Sequence, residues 1–100
     1  MGFVTSRPTI YNVTLTSADT EYSQVLPDGT RRFSVSIRDG ASANNFRVAF
    51  VSGKVATPTA PYLKYKCDYE YYEDDIHIVG KTLYIAGSNA GDVAQITAWE

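Results

Sequence analysis

Residues 81–99 constrain the fold more than any other stretch. They read Lys-Thr-Leu-Tyr-Ile-Ala, then Gly-Ser-Asn-Ala-Gly, then Asp-Val-Ala-Gln-Ile-Thr-Ala-Trp. On an extended chain Leu83 and Ile85 point to one face and Thr82 and Tyr84 to the other. The Gly87–Gly91 stretch tolerates positive φ, so the chain can turn back there. Val93, Gln95, Thr97 and Trp99 then alternate with Ala94, Ile96 and Ala98. This predicts a β-hairpin whose last strand lies beside earlier ones and closes a sheet. Val93, Ile96 and Trp99 also fit a helical face, but Thr97 and the short length favour a strand.

The same alternation recurs upstream. In Arg31–Arg38, Phe33, Val35 and Ile37 face one side and Arg32, Ser34, Ser36 and Arg38 the other. That is one buried face and one wet face. Asn45–Val51 repeats the pattern, with Phe46, Val48 and Phe50 inward and Arg47 and Ala49 outward. Ile10–Thr16 and Glu21–Leu26 read as two earlier strands. Ser17–Thr20 turns between them. Pro27-Asp28-Gly29-Thr30 is a strong turn, with proline setting the first central φ and glycine taking the left-handed position. Ser52–Pro61, with two prolines and a glycine, reads as a crossover between sheets. Tyr62–Tyr72 reads as extended and rich in tyrosine, and Val79-Gly80-Lys81 as a tight turn.

These spacings predict an all-β chain: a single-domain antiparallel β-sandwich, jelly-roll-like, of about eight strands. Met1–Thr9 reads as an extended N-terminal arm, stiffened at Pro8, and residues 10–100 as the sandwich domain. The expected core is Phe33, Val35, Ile37, Phe46, Val48, Phe50, Leu83, Ile85 and Ile96.

Charge and composition narrow the function classes. One hundred residues with a net charge of −2 make a single thin core, and the dispersed Lys and Arg do not form the basic face of a nucleic-acid binder. A single cysteine, Cys67, rules out an internal disulfide and a one-chain cysteine zinc site. No apolar run approaches the roughly 20 residues of a membrane helix. Met1–Pro8 lacks the apolar centre of a signal peptide.

Three groups of residues are candidate sites. Asp68, Glu70, Glu73, Asp74 and Asp75 are oxygen-rich, as calcium sites are. Yet they lack EF-hand spacing and an internal glycine, so they read as a charged edge and no metal is expected. Tyr62, Tyr65, Tyr69, Tyr71 and Tyr72 offer apolar bodies with polar tips, suited to interfaces or to stacking on sugar rings. Their mixed parity keeps all five from forming one patch. His77 lies opposite Ile76 and Ile78 on a wetter face, with no nucleophile motif around it. Cys67, beside Asp68, reads as structural. No enzyme and no cofactor are expected.

The run Glu21-Tyr22, Leu26-Pro27-Asp28-Gly29-Thr30 and Arg31–Arg38, with the ending Lys81–Ala86 and Gly91–Trp99, resembles small β-sandwich virion proteins of tailed bacteriophages. The resemblance covers nearly the whole chain in order. It implies a non-enzymatic structural protein, a capsid decoration, cement or head–tail accessory subunit, made in the host cytoplasm and located in the virion. Its partners would be other virion proteins, such as a major capsid or neck or tail protein, and other copies of itself, with no nucleic acid and no membrane. Arg7, Tyr62, Tyr65, Tyr69, Tyr71 and Tyr72 are the expected contact residues. The alternative is a carbohydrate-binding β-sandwich module that uses the tyrosine-rich strip.

Overall fold

β-Branched and aromatic residues at every second position make eight strands, and no helix forms among the described residues. The computed structural model describes residues 8–59 and 61–100. The strands are β1 (Pro8–Leu15), β2 (Tyr22–Val25), β3 (Arg32–Ile37), β4 (Asn45–Ala49), β5 (Leu63–Lys66), β6 (Glu70–Glu73), β7 (Thr82–Gly87) and β8 (Asp92–Trp99). They form two antiparallel four-stranded sheets, ordered β1-β8-β3-β6 and β2-β7-β4-β5. β1 pairs β8, β2 pairs β7, β3 pairs β6 and β4 pairs β5. This is one long hairpin rolled over itself into a sandwich, the jelly-roll arrangement. Pro8 and Thr9 belong to β1, opposite Trp99 and Ala98. The remainder of the expected arm, Met1–Arg7, lies outside the described residues.

The roll explains several departures from the sequence reading. β7 and β8 are not a hairpin: β7 lies between β2 and β4, and β8 between β1 and β3. Gly87–Gly91 therefore crosses between sheets. Ser88 N–H donates to Asn45 O at 2.9 Å, Gly91 N–H donates to Leu15 O at 2.7 Å, and Gly91 takes φ +88°. Ser52–Pro61 is not a crossover, because β4 and β5 share a sheet. The crossover falls instead within Tyr62–Tyr72, which the turn at Cys67–Tyr69 breaks into β5 and β6 in different sheets. At the Pro27 turn, Thr30 N–H and Oγ1–H both donate to Pro27 O, at 3.2 and 2.7 Å. Proline thus holds the first turn position, one earlier than expected, and Gly29 takes φ +88°. The Asp28 carboxylate accepts from Gly80 N–H at 2.8 Å, so one turn holds the other.

Inner faces supply the core. Phe33, Val35, Phe46, Val48, Leu83, Ile85 and Ile96 are fully buried, with Ile37 close behind. Leu15, Leu26, Tyr71 and Ile78 complete it. Phe50 does not, at 36% exposed. It follows the end of β4, where the alternation no longer sets its direction. It meets only the edge of Phe33, at a centroid distance of 6.0 Å.

Arg47 is the second correction. It does point away from the core, but it is only 5% exposed. The loop after β4 folds back over the outer face of its own sheet. There Val55 is fully buried with Ala49 and Ala86, and Tyr62 and Tyr84 pack at the margin. The guanidinium donates to Val55 O at 2.7 Å, Asn45 Oδ1 at 3.1 Å and Asp19 Oδ1 at 2.7 Å. Glu21 clamps the loop tip by accepting from Gly53 N–H at 2.9 Å and Ser52 Oγ at 3.1 Å. A buried cation is tolerated only when its donors are met, and no buried side-chain nitrogen or oxygen among the described residues lacks a partner.

Phe46→Ala removes a fully buried ring and is expected to destabilise by about 3–5 kcal/mol. Phe50→Ala, at a half-open site, should cost about 1 kcal/mol or less. Urea denaturation of both variants measures the contrast, and equal losses would show Phe50 to be part of the core.

Candidate interaction surface

The tyrosine-rich stretch divides into a buried part and an exposed part. On the edge strand β5, Leu63 and Tyr65 face inward opposite Val48 and Phe46. On the edge strand β6, Tyr71 and Glu73 face inward opposite Val35 and Phe33. These edges bound the same side of the sandwich, and their rings close it. Phe46 stacks on Tyr65 at 5.7 Å and Tyr65 on Tyr71 at 5.4 Å. Tyr71 meets Phe33 edge-on at 5.6 Å. Each such pair adds about 0.5–1.5 kcal/mol beyond buried area, so Tyr65 and Tyr71 act as closures between sheets. Tyr62 packs beside the Val55 loop. Tyr69 and Tyr72 stand out at 56% and 60% exposed. Arg7 lies outside the described residues.

Closure makes two groups unreactive. Tyr71 O–H donates to Glu73 Oε2 at 2.9 Å. Burial first, then that bond and the Glu73 charge, raise its pKa. Cys67 sits under the β3–β4 loop, where a Cβ on Gly40 would collide with the Cys67 carbonyl. Burial, with Asp92 and Asp68 nearby, pushes the Cys67 thiol up to about 11. The thiol stays neutral, as expected of a structural cysteine.

Phe50 lies between two hollows with apolar walls. On one side lies a cleft of about 470 Å³ at the end of the sandwich. Phe33, Phe50, Ile76 and Ile78 form its apolar walls, and Glu73, His77 and Lys81 line it with polar groups. On the other side a groove of about 290 Å³ runs between Val51, Pro61, Tyr62 and Leu63. Val51 and Leu63 are 52% and 44% exposed. Among the described residues the cleft is lined by apolar side chains with Glu73, His77 and Lys81, and it offers shape and apolar contact. Two hollows flanking one aromatic ring can receive apolar side chains of a partner, the arrangement found at the centre of protein interfaces.

The sequence reading missed Phe50 because it extended the alternation past the strand. Two adjacent large apolar residues, Phe50 and Val51, cannot both face inward, and that was the available signal. The acidic residues do not converge. Glu73 faces inward to Tyr71, Glu70 lies on the opposite strand face, and Asp74 accepts from Asp75 N–H at 2.8 Å. Among the described residues no three His, Cys, Asp or Glu side chains come together to hold a metal ion.

Comparison with protein-family models, with curated proteins and with solved structures found no match.

The raised pKa values of Cys67 and Tyr71 predict alkaline instability. In the unfolded chain a thiol ionises near 9, whereas folded Cys67 remains protonated to about 11. The unfolded state then binds fewer protons, so stability falls as pH rises from 9 to 11. Tyr71 acts in the same sense above its ordinary value of 10. The melting temperature should drop across this range, and Cys67→Ala should flatten the fall between pH 9 and 11. An unchanged slope in Cys67→Ala would show that the thiol is not the titrating group.

Proposed function

We propose that the protein is a non-enzymatic structural subunit of a tailed-bacteriophage particle, a capsid decoration, cement or head–tail accessory protein acting through protein–protein contacts. The observation that carries this reading is the apolar corner around Phe50, with a hollow on each side and Val51 and Leu63 exposed beside it. An apolar surface of this kind on a small domain is suited to another protein surface. The jelly roll supports the reading by analogy alone, since the same architecture serves capsid proteins and lectins. The sequence resemblance supports it separately; its segments supply β3, β7 and β8. In this role the contacts are with other virion proteins and other copies of the chain, and the protein is located in the virion.

Mass spectrometry of purified particles tests the role, and Phe50→Asp and Leu63→Asp test the surface. Both variants should fold, since both positions are open to solvent, and both should lose attachment to the particle. Absence of the protein from purified particles overturns the proposal. The carbohydrate reading retains Tyr69 and Tyr72, the two tyrosines most open to a flat ligand. Glycan-array binding abolished by Tyr69→Ala and Tyr72→Ala, and unaffected by Phe50→Asp, would replace the particle role with sugar recognition.

A further inference from the structure

A sandwich of two open sheets has four edge strands, and here they differ sharply. β2, β5 and β6 are each four residues long. β5 carries Lys64 and Lys66, and β6 carries Glu70 and Glu73. Short, charged edges resist pairing with other chains. β1 is eight residues long, Pro-Thr-Ile-Tyr-Asn-Val-Thr-Leu, without a charge. Its eight partners on β8 follow in unbroken register, with no bulge within the strand. Among the described residues no strand covers its outer side.

The register shows which main-chain groups are free. Arg38 N–H donates to Val93 O, and Arg31 N–H to Trp99 O, between the β3 side and β8. Odd-numbered residues of β8 therefore bond toward β3 and even-numbered ones toward β1. The partners of Ala94, Ile96 and Ala98 on β1 are Val13, Tyr11 and Thr9. The main-chain groups of Ile10, Asn12 and Thr14 point out from the sheet edge.

We infer that β1 is a homodimer interface, with two copies pairing antiparallel about a two-fold axis through Asn12 and joining their sheets into one of eight strands. An isologous contact needs a self-complementary strand, and β1 is one in this register. Ile10 would face Thr14 of the partner subunit, and Asn12 would face its own symmetry mate. That gives about six main-chain hydrogen bonds. On the inner side Tyr11 would meet Val13 of the partner subunit, twice, at the close non-hydrogen-bonded positions. Aromatic–β-branched pairs stabilise sheets best there. Tyr11 and Val13 are only partly buried against the core of one copy, so the second copy would cover what the first leaves open. Residues 8–18 carry no charge, so no like charges oppose each other along the two strands; the Arg38 guanidinium, donating to Asn12 Oδ1 at 3.2 Å, is the charge nearest the axis on the outer face. Pro8 lies outside the residue pairs that exchange these bonds, so its missing N–H removes none of them.

This inference stands on the strand edge and not on the particle role, so it is tested on the purified full chain. Sedimentation between about 1 μM and about 1 mM should show a species of twice 11.0 kDa. Asn12→Pro removes an outward N–H, and Thr14→Lys places a charge on the edge. Each should weaken dimerisation by at least about tenfold while circular dichroism keeps its β signature. If Asn12→Pro fails to fold, Thr14→Lys carries the comparison. In a mixed-label sample, isotope-filtered NOEs should connect the Tyr11 ring to the Val13 methyls of the other subunit. A monomer throughout the concentration range overturns the inference. So does a dimer that survives Thr14→Lys unchanged or shows no such NOEs.

Discussion

The stack of Tyr65 on Tyr71 is the contact on which the rest of the molecule depends. The two rings come from edge strands of opposite sheets, six residues apart in sequence, and meet at 5.4 Å. A sandwich has two open sides, and small side chains at these positions would leave one side wet. Phe46 extends the stack into one sheet, and Phe33 meets Tyr71 edge-on in the other. The Cys67–Tyr69 turn that joins the two strands is buried at Cys67 and pinned by the bond from Cys67 N–H to Asn44 O at 3.0 Å. Phe33 in turn meets Phe50, so the contact network that closes the core also positions the ring between the two hollows. Core closure and the candidate surface therefore share one run of ring contacts.

A second constraint acts on the outer face of the β2-β7-β4-β5 sheet. Ala49 and Ala86 present little side chain there, and Val55 covers them. Arg47 lies beneath the same loop with its cation held by a carbonyl, an amide and a carboxylate. Asp19, 58% exposed on the side-chain measure, keeps one end of that network in water. Much of its Coulombic term is thus screened, and the fixed hydrogen bonds locate the loop. Arg47 thus holds the loop whose margin, Pro61 and Tyr62, borders the groove beside Phe50.

The surfaces left after folding are uneven in a functionally suggestive way. Three edges are short, and two of those carry paired charges; the fourth is long and neutral. Phe50, Val51 and Leu63 form one exposed apolar group, and Ile10, at 66% exposed, adds an apolar side chain on β1. The outer face of the β1-β8-β3-β6 sheet is mixed, with Ile10 and Tyr72 exposed among polar residues. Ser34, Ser36, Gln95 and Thr97 lie along it, and the Arg32 guanidinium covers the Trp99 ring at 4.5 Å. The edge proposed to pair with a second copy and the corner proposed to meet another protein involve different residues, β1 and the surround of Phe50.

Period-two alternation is a local property, and it was legible in the chain by itself. It assigned the buried faces of β3, β4, β7 and β8, the all-β class and the strand number, because successive side chains on an extended backbone must point oppositely. Partner choice is not local. Nothing in residues 81–99 says that two neighbouring strands will join different sheets, and the turn residues of a hairpin serve a crossover equally well. The burial of Arg47 was likewise invisible. Its outward direction was read correctly, but a distant loop and Asp19 made that outside face an inside one. Phe50 turned outward because the strand ended before it, and Tyr65 and Tyr71 turned inward because two edges met. The sequence determined which side chains share a face; only the tertiary structure decided what each face would meet, since pairing and cover depend on contacts between segments far apart in the chain.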